Sequence, residues 1–288
     1  HYAKPVANAV GMLADKIIEN KGKKIVLVSL ARAGIPIGIL VKRYIKFKYG
    51  INVPHYSISI IRGRGIDDNA MKYLLEKYRP QQILFVDGWI GKGAILNELK
   101  KDISAYEGVS ADIAVVADPA NVTELCGTHE DILIPSSCLN STVSGLISRT
   151  FLRDDIIGRD DFHGAVYYGE LTDSDLSYDF IETIEKEFNM ENTPDLEKRV
   201  ESQGIDEVIN IGKNFGVDDI NLIKPGIGET TRVLLRRIPW KVLIDERYKG
   251  NPQLEHIVRL AEEKHTPVEY YPLTHYKCCG IIKKLADA

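Results

Sequence analysis

The stretch QILFVDGWIGKGA, from Gln82 to Ala94, decides how this chain is read. Its apolar run Gln82 to Val86 has the length and character of a strand buried on both faces of a parallel sheet. The run ends in Asp87. Gly91, Lys92 and Gly93 then lead into a helical pattern that continues to Ile103. Glycines let backbone N–H groups close around a phosphate, and a helix N-terminus adds a favourable dipole. A carboxylate just ahead of such a loop can grip ribose hydroxyls. An ordinary strand-to-helix turn also uses glycine, so this loop alone leaves both readings open.

Outward from that stretch, strands and helices alternate. Ala3 to Glu19 has helical periodicity, Lys24 to Ser29 reads as a buried strand, and Gly34 opens a helix through Lys48. His55 to Ile61 reads as a strand, Asp68 to Lys77 as a helix, Asp112 to Ala117 as a strand and Asp131 to Ile134 as a fifth strand. This alternation predicts a mostly parallel α/β sheet with helices on both faces. Ligands of such sheets sit at the carboxyl ends of the strands. There the sequence places Ala31-Arg32-Ala33-Gly34, Arg62-Gly-Arg64, the loop from Asp87 to Gly93, Asp118-Pro119, and Pro135 to Gly145. All five are polar, charged or glycine-rich, which makes their shared rim a stronger signal than any one of them.

Arg32 stands between two alanines after a buried strand, where a guanidinium can fork onto phosphate oxygens. Arg62 and Arg64, set between glycines, suit a lid closing over an anion, and equally a solvated loop tip. Asp173 to Asp219 is acidic and helical and reads as a connector. After Lys224-Pro-Gly226 comes a small α/β/α unit: a helix Glu229 to Arg237, a strand Trp240 to Ile244, a helix Gln253 to Lys264, a strand Val268 to Tyr271 and a last helix Cys279 to Leu285. The domains expected are thus 1–172, a connector 173–220, and 221–288.

The charge is uneven. From Leu222 onward there are 12 Lys and Arg against 8 Asp and Glu, a net +4, which leaves −8 on the preceding residues. A basic end on an acidic body fits an anionic partner or a plain solvated face. No apolar run approaches the roughly 20 residues of a membrane span. The chain begins at His1, and its first residues carry Lys4 and an amphipathic pattern, not a secretory leader. Cys126, Cys138, Cys278 and Cys279 show no zinc-clamp spacing and are expected to be reduced thiols in a cytoplasm. No metal ligands are read from the sequence.

Together Arg32, the Arg62–Arg64 loop and the Asp87 loop resemble a type I phosphoribosyltransferase. That resemblance implies that Asp87, Gly88 and Gly91 to Ala94 (with Lys92 and Gly93 between them) hold the ribose and 5′-phosphate of phosphoribosyl pyrophosphate. It implies that Ala31, Arg32, Ala33 and Gly34 hold the pyrophosphate, with Mg2+, and that Arg62 to Asp67 cover the site. Asp87, Arg32 and Arg64 would be the catalytic residues. The acceptor base would meet Trp89, Asp118, Ser136, Ser137, Cys138, Asn140 and His163. The family's two adjacent acids are Asp87-Gly88 in this chain, and its Thr-Gly-x-Thr is Ile90-Gly-Lys-Gly93, in a loop one residue shorter.

VDGWIGKGAI, LIPSSCLNSTVSGLISRTF and DFHGA are more closely similar to one subgroup. These are the phosphoribosyltransferase-like proteins of tellurium-resistance-type stress operons, which carry a C-terminal Pelota/L7Ae-like RNA-binding domain. The subgroup is also labelled cysteine protease StiP. The resemblance implies RNA contacts at Gly228, Glu229, Arg232 and Arg236, and it is compatible with a homodimer. Three readings stay open: a transferase acting at ribose C1, a non-catalytic phosphoribosyl sensor that regulates through RNA, and a hydrolase using Cys138 and His163. In the last, Asp160, Asp161 or Asp173 would orient the imidazole.

Overall fold

The computed structural model describes residues 2–139, 141–193 and 201–284. Asn140 lies outside them. The first part runs α1 (Ala3–Lys21), β1 (Val26–Ala31), α2 (Gly34–Tyr49), β2 (His55–Ile61), β3 (Gly65–Ile66), α3 (Asp68–Lys77), β4 (Ile83–Trp89), α4 (Ala94–Ile103), β5 (Ile113–Ala117) and β6 (Cys126–Thr128). These strands form one sheet in the order β3-β2-β1-β4-β5-β6. Every pairing in it is parallel except that of β3 with β2.

Alternate residues of the central strands explain why both faces are covered. Leu27, Leu84, Val86, Ala114 and Val116 pack with α1 and α2 on one face. Val26, Val28, Phe85, Ile113 and Val115 pack with α3 and α4 on the other. Each of these side chains except that of Ala114, fully buried, contributes about 1.5–3 kcal/mol. The periodicity of the sequence is therefore that of a strand whose two faces are both interior.

The chain continues through α5 (Pro135–Cys138), the hairpin β7 (Ile147–Phe151) and β8 (Gly164–Tyr167), and α6 (Ser177–Glu185). It then passes to α7 (Gly204–Phe215), β9 (Ile223–Pro225), α8 (Ile227–Arg236), β10 (Pro239–Ile244), α9 (Glu255–Glu263), β11 (Val268–Tyr270) and β12 (Cys278–Ile282). The last four strands make a second sheet in the order β11-β10-β12-β9. Val208 and Ile211 of α7 cover one face of it, and Leu234 of α8 with Ile257 and Ala261 of α9 cover the other. This is the α/β/α arrangement expected.

Three expectations are corrected. Asp131 to Ile134 is not a strand, and the edge position is taken by β6. The reason is Asp131, whose carboxylate accepts from the Ile227 and Lys277 backbone N–H groups at 3.0 and 2.9 Å and so draws this segment toward the second domain. Cys279 to Leu285 is not a helix: its described part, together with Cys278, is β12, sandwiched between β10 and β9. A Cβ on Gly280 would meet Thr230 and Val233 of α8 at 3.3 Å, so glycine allows that close packing. The connector 173–220 is divided, because Ile181 and Ile184 of α6 join the first core and α7 joins the second. Among the described residues, no helix is long and apolar enough to cross a membrane.

Candidate functional site at the domain junction

The loop after Asp87 ends at Gly93, whose φ of +82° is left-handed and which caps α4. A cavity of about 220 Å³ opens on this loop, lined by Arg62, Asp87, Trp89 and Gly91 to Ala94 from the first domain. Asn221, Lys224 and Glu229 line it from the second. Asp87 still meets solvent, yet protein surrounds its carboxyl. Burial pushes its pKa up to about 7, against the pull of the Gly88 N–H and the Arg32 charge.

Arg32 is fixed behind Asp87. Its Nε donates to the Ser148 carbonyl at 2.9 Å and its Nη1 to the Ser136 carbonyl at 3.0 Å. The Ala31–Arg32 peptide is cis. Gly34 begins α2 so close to β4 that a Cβ would stand 2.5 Å from the Val86 carbonyl oxygen. Burial lowers the Arg32 pKa, and repulsion from Arg232 and Arg236 lowers it further. The charges of the two arginines read as RNA contacts thus act on Arg32 across the junction, although Arg236 itself is exposed. Glu229 accepts from Arg232 Nη1 at 3.0 Å, and Gly228 lies over Cys138. Arg32 thus carries one positive charge beside Asp87, and Arg232 and Arg236 add to the positive field at Arg32, which favours an anion there.

The loop is also clamped from above. Lys92 Nζ donates to the Ile220 and Ile223 carbonyls at 2.8 and 3.0 Å, and Tyr276 Oη donates to the Gly91 carbonyl at 2.6 Å. Burial, with repulsion from Lys224, lowers the Lys92 pKa to about 8. Lys92, read as a phosphate ligand, is spent on the second domain's backbone. Trp89 lies beneath Gly226, where a Cβ would meet its ring at 2.6 Å, so the indole packs in the junction. Gly88 has its own reason to be glycine. A Cβ there would stand 2.6 Å from Ser137 Oγ and 3.3 Å from Ile134 Cγ2, so α5 occupies the space a second acid would need.

Other expected residues are placed elsewhere. Arg64 is exposed and lines a different cleft, with Asp67, Asp161 and His163. The Arg62–Arg64 turn is tied to α4, because Glu98 accepts from the Gly63 N–H at 3.2 Å and Asp102 from the Ile66 N–H at 2.8 Å. Ala31 faces an apolar cleft with Ser59 and His163. The His163 ring is held at Nδ1 by Ser59 Oγ at 2.9 Å, and its backbone N–H donates to Asp67 Oδ2 at 2.7 Å. Cys138 is buried, and burial raises its thiol pKa to about 11. Its Sγ lies 3.6 Å from the Pro135 carbonyl, and among the described residues no imidazole is within hydrogen-bond reach of it. The Cys138–His163 pair is therefore not assembled. Asp118 does not line the Asp87 cavity but joins Cys126 and His129. The sequence reading missed Asp131, Tyr276, Asn221 and Lys224, which carry no motif. It also missed Cys126-x-x-His129, which does.

Residues 1–185 match the family model described as "Tellurite-like stress resistance cysteine protease StiP". The chain belongs to the StiP family. A StiP relative from Acinetobacter baylyi, named cysteine protease StiP, is 32% identical over 301 residues, covering 97% of this chain and 78% of that protein. Residues 202–284 match the model described as the PELOTA RNA binding domain, which spans the second sheet and α7. Among solved structures, a hypoxanthine-guanine phosphoribosyltransferase from Bacillus anthracis is 18% identical, over 42% of this chain and 71% of that one, with a TM-score of 0.32. A hypoxanthine-guanine-xanthine phosphoribosyltransferase is 11% identical, over 59% and 93%, with a TM-score of 0.33. Overlaps this slight are too weak to argue from.

Proposed function

We propose that this StiP-family chain binds a phosphoribosyl ester, phosphoribosyl pyrophosphate, between its two domains and transfers the phosphoribosyl group to a nucleobase-like acceptor, with pyrophosphate leaving. We infer the same stress-response setting as its family description. The observation that carries the reading is the cavity in which Arg62, Asp87 and the glycine loop of the first domain meet Lys224 and Glu229 of the second. The 5′-phosphate would lie on the backbone of Gly91 to Ala94, at the start of α4. Asp87 would hold the ribose hydroxyls. Arg32 and the α8 arginines would stabilise charge developing on the departing pyrophosphate as the bond at ribose C1 breaks.

Magnesium fits the residues present. Asp87 and Glu229 both line the cavity, their oxygens suit a hard cation, and a cation would offset the burial that keeps Asp87 protonated near neutral pH. When bound, it would neutralise the leaving pyrophosphate. The acceptor base would lie toward α5. There the Ser136 and Ser137 hydroxyls and Trp89 Nε1 are buried without a hydrogen-bond partner among the described residues, which suits recognition of a base edge.

Calorimetry of the full chain with phosphoribosyl pyrophosphate and Mg2+ tests the reading. Binding is expected, and Arg232→Ala should weaken it roughly 10- to 100-fold, the scale of one charge-assisted hydrogen bond. No binding overturns it. Pyrophosphate release across a panel of bases then separates transfer from sensing. Binding without release across the panel makes the chain a sensor, with RNA as its output through the second domain. The protease named for its relatives has no assembled nucleophile in Cys138 and His163. The thiol–imidazole contact the chain does hold is Cys126 with His129.

A further inference from the structure

The carboxyl end of β5, together with β6 and the turn after it, gathers a second cluster outside the Asp87 cavity. Asp118, Cys126 and His129 each offer a ligand atom, and these atoms lie within 4.8 Å of one another. We propose that they form a transition-metal site for a zinc-class divalent ion, with three protein ligands and a fourth position open to water.

Three features of the cluster support this. His129 Nδ1 donates to the Asp118 carbonyl at 2.9 Å, which fixes the tautomer and leaves Nε2 the basic nitrogen; Cys126 Sγ lies beside the ring, 3.3 Å from Nε2 and 3.8 Å from Nδ1. Metal-binding histidines are commonly oriented by such a bond from the other ring nitrogen. Bond lengths of a tetrahedral zinc site imply a sulfur-to-nitrogen separation of about 3.5 Å, close to the 3.3 Å present, and a turn of the imidazole would aim Nε2 at the shared ion. The Asp118 carboxylate supplies the second feature. Its Oδ2 accepts from the Val122 and Thr123 N–H groups at 2.7 and 2.8 Å, while its Oδ1 is buried with no hydrogen-bond partner among the described residues. A buried carboxylate oxygen with unused lone pairs is costly unless something meets it. The third feature is access. Asp118 and Cys126 are wholly buried, but the His129 side chain is 27% exposed, which leaves a way in for an ion and for a water ligand.

The same geometry argues against a nucleophile. Attack needs the substrate carbonyl to reach Sγ, and Cys126 is 0% exposed on an interior strand. Sulfur, nitrogen and oxygen donors together favour zinc over magnesium or calcium. The ion would brace the loop between its ligands, on which the second domain docks. The Pro119 carbonyl takes a hydrogen bond from His275 Nδ1 at 3.1 Å and the Ala120 carbonyl one from the Gly204 N–H at 2.9 Å.

Metal content of the purified full chain, after zinc loading and dialysis against a weak chelator, tests the site. About one zinc per chain is expected, and cobalt in its place should show a thiolate-to-metal charge-transfer band. Cys126→Ser and His129→Ala should each remove the band and weaken zinc binding at least ~100-fold, beyond the loss seen for outer-shell partners. Cys138→Ala should keep both. Circular dichroism of each metal-free variant separates loss of ligand from loss of fold. No retained zinc and no cobalt band in a folded chain overturns the proposal. Alkylation of Cys126 at the same rate with and without zinc overturns it too, and points to a thiol outside any metal.

Discussion

Single residues set the chemistry of the junction, and Gly88 is the clearest. It stands where the resembled family has a second acid, and Ser137 and Ile134 fill the space that acid would need. Gly88→Asp should therefore destabilise the protein by about 1–3 kcal/mol, the usual cost of overpacking. Urea unfolding measures it, and adding Ser137→Gly should recover much of the loss. An unchanged midpoint would mean the loop has room to spare. Asp87 sets a pH dependence of unusual sign. Its folded-state pKa is raised from 3.8 to about 7, chiefly by burial, so between those values the folded state binds more protons than the unfolded state. The unliganded protein should lose stability as pH rises through that window. Asp87→Asn should flatten the slope in thermal melts at stepped pH. A slope unaltered by the substitution assigns it to other groups.

At the scale of elements, α8 joins the two domains. Asp131 accepts from the Ile227 N–H at its first residue, and from the Lys277 N–H beside β12. Asp131→Ala leaves both donors buried without an acceptor and should cost about 1–3 kcal/mol for each. A fall in the urea midpoint with a broadened or split transition would show the domains uncoupling. A single unshifted transition would show that the contact is dispensable. This carboxylate also explains why Asp131 to Ile134, apolar and strand-length, does not join the sheet. Propensity favours a strand there, and a buried hydrogen-bond partner on another element outweighs it. The run Cys278 to Ile282 fails as a helix for a related reason. Its apolar residues fit either period, and only pairing with β10 and β9 decides it.

Across the whole molecule, the basic end and the acidic body meet at one site. Part of the net +4 after Leu222 acts on the first domain, because the charges of Arg232 and Arg236 repel Arg32. RNA and the phosphoribosyl ligand would then draw on the same arginines. Fluorescence anisotropy with a labelled RNA should show displacement by phosphoribosyl pyrophosphate with Mg2+, and both affinities should fall steeply with salt. Simultaneous binding would place the RNA surface elsewhere on the second domain. The sequence by itself determined the alternating sheet, the rim of loops at its carboxyl ends and the glycine loop after Asp87. Period-two and helical patterns, together with turn chemistry, are local properties that a chain carries wherever it folds. Only the folded structure shows that Lys92 ties the domains together, that the charges of the α8 arginines act on Arg32, and that Asp118, Cys126 and His129 meet. Those are contacts between elements distant in sequence or placed by a sheet edge. Burial and pairing energies choose them, and no local pattern records the outcome. The loop after Asp87 was legible as a phosphate cradle, but that the second domain closes over it was not.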